Sequence, residues 1–384
     1  MSGSHAAARV YRLRKLSEVP IDFQRRGLVQ VLLLWFDEHG RDLPWRRTRN
    51  AYAIWVSEIM LQQTQVQTVI GYWERWMREF PETKSLAKAP EERVLKLWEG
   101  LGYYSRARNL WRAAQQLVAV RGSLLPSTVE ELMELPGIGR YTAGAIASIA
   151  YNQPAAILDG NVIRVLSRLM SMAGDPKGAE NQKRLWAEAR LWVEAATAEQ
   201  LGVTQNRYGD INQSLMELGA TLCTPTKPRC SDCPIASGCR AFHLGTPETF
   251  PQLAARPATQ RRWFATALIR CQGRVLVSRR PQDVVNGGYW EFPNCELDSA
   301  DADPAQAIGV FLGIDSARFQ QCGEIRHSIT RFRILQRLVG TEVASCGRLR
   351  QCLPGGKWVT LAELESLHLT GPHRKLARRL WRNG

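Results

Sequence analysis

Leu135-Pro136-Gly137-Ile138-Gly139-Arg140 stands directly before an apolar-periodic run that starts near Tyr141. Two glycines permit a tight turn whose backbone N–H groups face outward. With the N-terminus of the following helix, such a turn can hold a phosphate without reading base sequence. Leu135, Gly137 and Gly139 would make that contact. An ordinary helix–turn–helix connection accounts for the same residues with no ligand. The surroundings therefore decide what the hexapeptide is for.

Outward from it, residues 21–219 carry apolar positions at helical spacing, in the stretches 21–39, 51–63, 68–80, 105–120, 141–151, 162–170, 182–195 and 210–218. Pro81, Pro90, Gly100-Leu101-Gly102, Pro126, Asp159-Gly160 and Gly174-Asp175-Pro176 separate them. Residues 1–20 are basic and without period, which reads as a flexible arm. Residues 246–257 hold three prolines, and 246–262 reads as a linker. Beyond it the period changes to two. Residues 264–270 and 274–280 read as strands around Cys271-Gln272-Gly273, and 324–340 is a further β-branched stretch. The expected fold is multidomain: an all-α part over 21–245, with the hairpin element at 126–151 and a cysteine loop at 223–239, then an α+β part over 263–384.

The formal net charge is +15, and the chain is net positive on both sides of residue 245. Such a surface attracts polyanions, either nucleic acid or an anionic membrane. The most apolar early run, 27–36, contains Gln30 and is too short to span a bilayer. No charged-then-apolar leader precedes a small-residue cleavage site. Nucleic acid is thus the expected partner, without a membrane, for a monomer that in a bacterium would be cytoplasmic and nucleoid-associated. Nine cysteines in a chain without a leader point to metal rather than to a disulfide framework.

Four of the nine, Cys223, Cys230, Cys233 and Cys239, fall within 17 residues at spacings of six, two and five. The segment between them, rich in Pro, Lys, Ser and Asp, offers little core to bury them. Cysteine sets of this kind bind zinc or an iron–sulfur cluster. A single C-x₂-C flanked by long, unequal gaps suits a cluster better than a zinc ribbon. The pattern C-x₆-C-x₂-C-x₅-C after a helical region resembles the [4Fe–4S] loop of the endonuclease III and adenine glycosylase superfamily, and Leu135–Arg140 resembles its helix-hairpin-helix element. The resemblance covers residues 21–243 and implies base-excision chemistry on double-stranded DNA.

Two carboxylates then gain a role. Asp159, in Leu158-Asp159-Gly160-Asn161, is by itself a common helix cap. By its place after the hairpin it matches the superfamily's essential aspartate, and Asn161 matches the adenine-glycosylase form of that motif. Glu58 lies in Trp55-Val56-Ser57-Glu58-Ile59-Met60-Leu61-Gln62-Gln63-Thr64-Gln65 and falls on the signature's catalytic acid. Its apolar neighbours favour burial, where a carboxyl group keeps its proton. Adenine leaves poorly until a ring nitrogen is protonated, and bond cleavage leaves an oxocarbenium-like sugar. A protonated acid near the base and an ionised carboxylate near C1′ answer those two needs, once the nucleotide is extruded from the duplex.

Relatives that also nick the strand carry a lysine one position after the Gly-Arg of the hairpin, as a Schiff-base nucleophile. Here that position is Tyr141, so the resemblance implies a monofunctional glycosylase in which Tyr141 touches the catalytic aspartate. It also implies that Arg46 contacts adenine or its phosphate, that Tyr103 pushes at the opposite guanine, and that Gln62 and Gln63 bond a neighbouring base or wedge into the stack. The α+β part resembles the Nudix-like domain that inspects the opposite strand. Residues 294–316 lack the glutamate-dense helix of a Nudix hydrolase. The lesion-reading Phe-Ser-His of the family is replaced by Ile329-Thr330-Arg331, where Thr330 and Arg331 offer a hydroxyl and a changed donor. The expected substrate is adenine opposite 8-oxoguanine or guanine. A pyrimidine or mismatched-thymine glycosylase, and a non-catalytic damage-binding iron–sulfur protein, are the alternatives.

Overall fold

Every residue from Tyr52 to Met60 is buried, so one helix is covered on all sides and the others pack around it. The structure, a computed structural model, describes residues 21–254, 258–281, 284, 286–329, 331–347, 353 and 355–382. The expected arm at 1–20 and Thr330 lie outside the described residues. The chain folds as two units. Among the described residues, the first takes in 21–102 and 106–254, and the second 103–105 and those from 258 on.

The first unit begins with α1 (Ile21–His39), the covered helix α2 (Ala51–Leu61) and α3 (Val66–Glu79). Then come α4 (Thr83–Lys88), α5 (Glu91–Trp98), α6 (Ser105–Arg121) and α7 (Val129–Met133). After the hairpin turn it continues with α8 (Arg140–Tyr151), α9 (Gly160–Met170), α10 (Ala179–Glu194), α11 (Ala198–Leu201), α12 (Tyr208–Thr221) and α13 (Arg240–His243). The core is drawn from α1, α8, α9, α10 and α12, through residues such as Leu32, Ala145, Leu166, Trp192 and Leu215. Local chemistry starts the helices that matter. Asn50 accepts the Ala53 N–H at the start of α2, and Asp159 accepts that of Val162 at the start of α9. Gly137 turns the hairpin at φ 79°, and a Cβ there would strike Asn109 at 2.6 Å. α12 approaches the start of α9 so closely that a Cβ on Gly219 would lie 2.6 Å from that of Asn161.

In the second unit, β1 (Gln260–Cys271) and β2 (Arg274–Arg279) pair antiparallel across Gln272 and Gly273, both at positive φ. β3 (Trp290–Glu291), β4 (Asn294–Leu297), α14 (Pro304–Leu312), β5 (Gln320–Ile329), β6 (Phe332–Glu342), β7 (Lys357–Thr360), α15 (Leu361–Ser366) and α16 (Gly371–Arg382) follow. The order β3-β2-β1-β6-β5 is extended by β4 on β1 and β7 on β2. Among the described strand pairs, β1 and β6 are the parallel one, with Gln260 opposite Phe332 and Arg270 opposite Glu342. α14 covers one face of the sheet and α16 the other.

Three expectations need amendment. The stretch 246–262 is not all connecting chain: Phe250 O accepts from Arg168 Nε at 3.0 Å, Gln252 Oε1 accepts from the Gly174 N–H at 2.6 Å, and β1 already starts at Gln260. The β-branched stretch 324–340 is two strands, β5 and β6. Not all cysteines turn to metal either. Cys271 and Cys346 form a disulfide, because the end of β1 and the chain leaving β6 stand side by side with Cα atoms 6.0 Å apart.

Candidate active site

α2, α8, α9 and α12 surround a cavity of about 630 Å³. Glu58, Tyr141, Asp159 and Asn161 line it, and so do Arg46, Gln62, Gln63 and Gly139. Residues separated by more than a hundred positions are thus brought to one wall.

Glu58 sits mid-helix on α2, 5% exposed. Tyr141 Oη, from the first turn of α8, donates to Glu58 Oε2 at 2.7 Å. Burial pushes the Glu58 carboxyl up to about 7; the Tyr141 hydroxyl opposes this, the charge of Asp159 adds to it, and Arg46 opposes it. Near neutrality Glu58 is therefore an acid that still holds a proton in a good share of molecules. Burial first, then Glu58 and Asp159, hold the Tyr141 phenol well above 10. Tyr141 was expected on Asp159. Its hydroxyl donates to Glu58, because α8 packs along α2 and its first turn faces Glu58, and the charge of Asp159 acts on the same phenol.

Asp159 keeps the capping role and adds a second. Its Oδ1 accepts the Val162 N–H at 2.7 Å, and its Oδ2 accepts Asn161 Nδ2 at 2.9 Å. Burial raises its pKa, and these two donors work against that by favouring the anion. Asn161 is itself held, since Arg164 donates to Asn161 Oδ1 at 2.8 Å. The same guanidinium donates to Gly219 O at 2.8 Å and to Cys223 O at 2.7 Å.

Arg46 donates to Glu217 Oε2 at 2.9 Å and to Arg41 O at 3.1 Å. Glu217, on α12, has a fully buried side chain and also receives Arg41 Nε at 2.6 Å. Burial acts to raise its pKa, but Arg41 and Arg46 outweigh it and hold Glu217 ionised. Neither Glu217 nor Arg41 stood out in the sequence. The available signal was the one that marks Glu58: an acid, Glu217, inside the apolar run Leu215-Met216-Glu217-Leu218.

Leu135 and Gly137 lie in the hairpin turn, outside the cavity lining. Tyr103, at φ 48° and 49% exposed, does not line the cavity either. Arg331 is exposed, with its guanidinium 5.2 Å from the Phe332 ring.

Cys223, Cys230, Cys233 and Cys239 line a second, smaller cavity beside α9, and none of them is disulfide-bonded. Arg168, buried on α9, donates to Cys223 Sγ at 3.3 Å and to the carbonyls of Thr224 and Pro225. Among the described residues no three His, Cys, Asp or Glu side chains form a group that could hold a single metal ion.

Residues 56–190 match the HhH-GPD superfamily of base excision DNA repair proteins, and residues 265–379 match the NUDIX domain. The adenine DNA glycosylase of Rattus norvegicus is 35% identical over 404 residues, spanning 90% of this chain and 76% of that protein. That of Homo sapiens is 35% identical over 406 residues, spanning 90% and 72%. Among solved structures, a thermostable thymine-DNA glycosylase shares 27% identity at a TM-score of 0.51, over 58% of this chain and 98% of that one.

Proposed function

Since this chain belongs to the adenine DNA glycosylase family, we propose that it excises adenine mispaired with 8-oxoguanine or guanine from duplex DNA and leaves the strand intact. The observation that carries this reading is the pair of carboxylates on one cavity, Glu58 partly protonated near neutrality and Asp159 held by two donors. The target nucleotide is extruded into the cavity. Glu58 gives its proton to a ring nitrogen of adenine. The C1′–N9 bond then breaks with its electron pair on the base, and the Asp159 carboxylate faces the positive charge left on the sugar. Water adds at C1′ and completes the hydrolysis. Tyr141 occupies the place where a lysine would form a Schiff base, and a phenol cannot form one.

The four cysteines suit a [4Fe–4S] cluster. They are four free thiols around one cavity, with the cationic Arg168 on Cys223 to offset thiolate charge. When bound, the cluster supplies iron–thiolate bonds that tie the loop 223–239 together. Purified protein should then carry four non-haem irons per chain; stoichiometric zinc in iron-poor protein would refute this.

Single-turnover assays on duplexes with adenine opposite 8-oxoguanine, guanine and cytosine test the main reading. Excision should be fast opposite 8-oxoguanine, slower opposite guanine and slowest opposite cytosine. Borohydride should trap no covalent complex. Preferred release of thymine or of an oxidised pyrimidine would favour the sister activity, and tight binding without an abasic product would favour a damage-binding role.

A further inference from the structure

Arg106, on the first turn of α6, makes more hydrogen bonds than any catalytic side chain in the protein described above. One guanidinium nitrogen donates to Ile59 O at 2.9 Å, to Met60 O at 3.0 Å and to Gln62 O. The other donates to Thr64 Oγ1 at 3.3 Å, Leu101 O at 3.2 Å and Gly102 O at 3.0 Å. The face of the group lies 5.3 Å from the centre of the Trp98 ring.

These acceptors belong to two segments far apart in sequence. Ile59 and Met60 are among the last carbonyls of α2, which lack partners within the helix and carry its negative dipole end. Gln62 and Thr64 flank Gln63, whose φ of 56° is a conformation that L side chains rarely adopt. Leu101 and Gly102 lead directly into Tyr103, whose φ of 48° is of the same kind. A single planar fork therefore stops the helix of Glu58 and holds the approaches to two strained residues. Only a guanidinium can do this, because a lysine ammonium is one point donor and cannot reach both segments.

We propose that Arg106 is a positioning residue that joins the loops 62–64 and 101–102 into one wedge, and that this wedge drives the target nucleotide out of the duplex. The proposal rests on the adenine-excision reading. It assigns Arg106 to extrusion and not to the bond-breaking step, which needs Glu58 and Asp159 alone.

The test separates those steps with two kinds of substrate. One is a duplex with adenine opposite 8-oxoguanine. In the other the same adenine is bulged and already outside the stack. A 2-aminopurine next to the target adenine reports unstacking when Glu58→Gln protein binds, since that protein leaves the base in place. Adding Arg106→Lys or Arg106→Ala should remove most of the fluorescence rise at saturating protein. In the Glu58 background, each should slow single-turnover excision from the paired duplex by about tenfold or more and from the bulge by less than about threefold. Arg106→Lys keeps the charge and guards against a folding failure in the alanine variant. A full fluorescence rise in either variant, or equal losses on paired and bulged adenine, overturns the proposal. Wild-type protein that neither unstacks nor excises adenine would instead overturn the reading beneath it.

Discussion

Glu58 is asked to be apolar enough to keep a proton and polar enough to give it away. With its carboxyl at about 7 against an ordinary 4.5, the unfolded chain releases a proton between about pH 4.5 and 7 that the folded protein retains. Folding stability therefore falls across that window and stays level above it, by about 3 kcal/mol. Glu58→Gln removes this loss, so the variant should melt higher than wild type at pH 8 while the gap narrows at pH 5. Its single-turnover excision should fall by about 10²-fold or more. Melts that shift in parallel at both pH values would show that Glu58 does not titrate there. Tyr141→Phe removes the hydroxyl that favours the carboxylate, so the alkaline fall of the excision rate should move to higher pH. An unmoved profile would mean that the hydroxyl does not govern Glu58. Glu58 was legible in the sequence because its neighbours within seven residues are apolar and amide-rich. Glu217 was not, because Arg41 and Arg46, which keep it charged, lie more than 170 positions earlier in the chain.

At the scale of elements, α9 carries the site by being held at both ends. Asp159 and Asn161 begin it, and Arg164 and Arg168 tie its later turns to the cysteine loop. The approach of α12 fixes where it begins. Gly219→Ala would place a methyl 2.6 Å from Asn161 Cβ, costing about 1–3 kcal/mol and shifting Asn161. Gly309→Ala, which meets Ile314 O at 2.7 Å, is similarly crowded in the second unit. Both should lower the melting temperature, but only Gly219→Ala should slow single-turnover excision of adenine opposite guanine at a temperature where both are folded. Equal rates would remove the contact from the mechanism. The long helices were readable in sequence to within a few residues, because a buried stripe repeats over several turns. α4, α7 and α11 were not, since four to six residues show too little of the period. β5 and β6 read as one stretch because His327-Ser328-Ile329-Thr330-Arg331 holds no glycine, asparagine or proline to mark the turn.

At the scale of the molecule, the charge of +15 means that DNA affinity should fall steeply with salt, linearly on logarithmic axes. A flat dependence would show that the basic surface does not touch phosphate. The Cys271–Cys346 bond closes 75 residues of the second unit, a loop whose cross-link restricts the unfolded chain by about 4–5 kcal/mol at most. Full-length protein in a strong reductant should therefore show a lower transition for that unit, with the absorbance of the cluster proposed at the cysteine loop followed as a control. No shift would mean that the thiols are already reduced in the native protein. The division into a helical and a mixed part was visible in the change of period after residue 263, whereas the partner of β1 was not. β1 takes β6 as its parallel neighbour, with Gln260 beside Phe332, and that has a consequence for synthesis. Paired residues of the two strands lie about 70 positions apart, so a ribosome adding about 5–20 residues per second leaves each residue of β1 waiting about 4–14 s for its neighbour. Through that interval the sheet has an open edge while the helices of the first unit, already translated, can close on one another. Arg261 and Arg262 at the start of β1 put charge on the waiting edge, where it discourages pairing with another nascent chain.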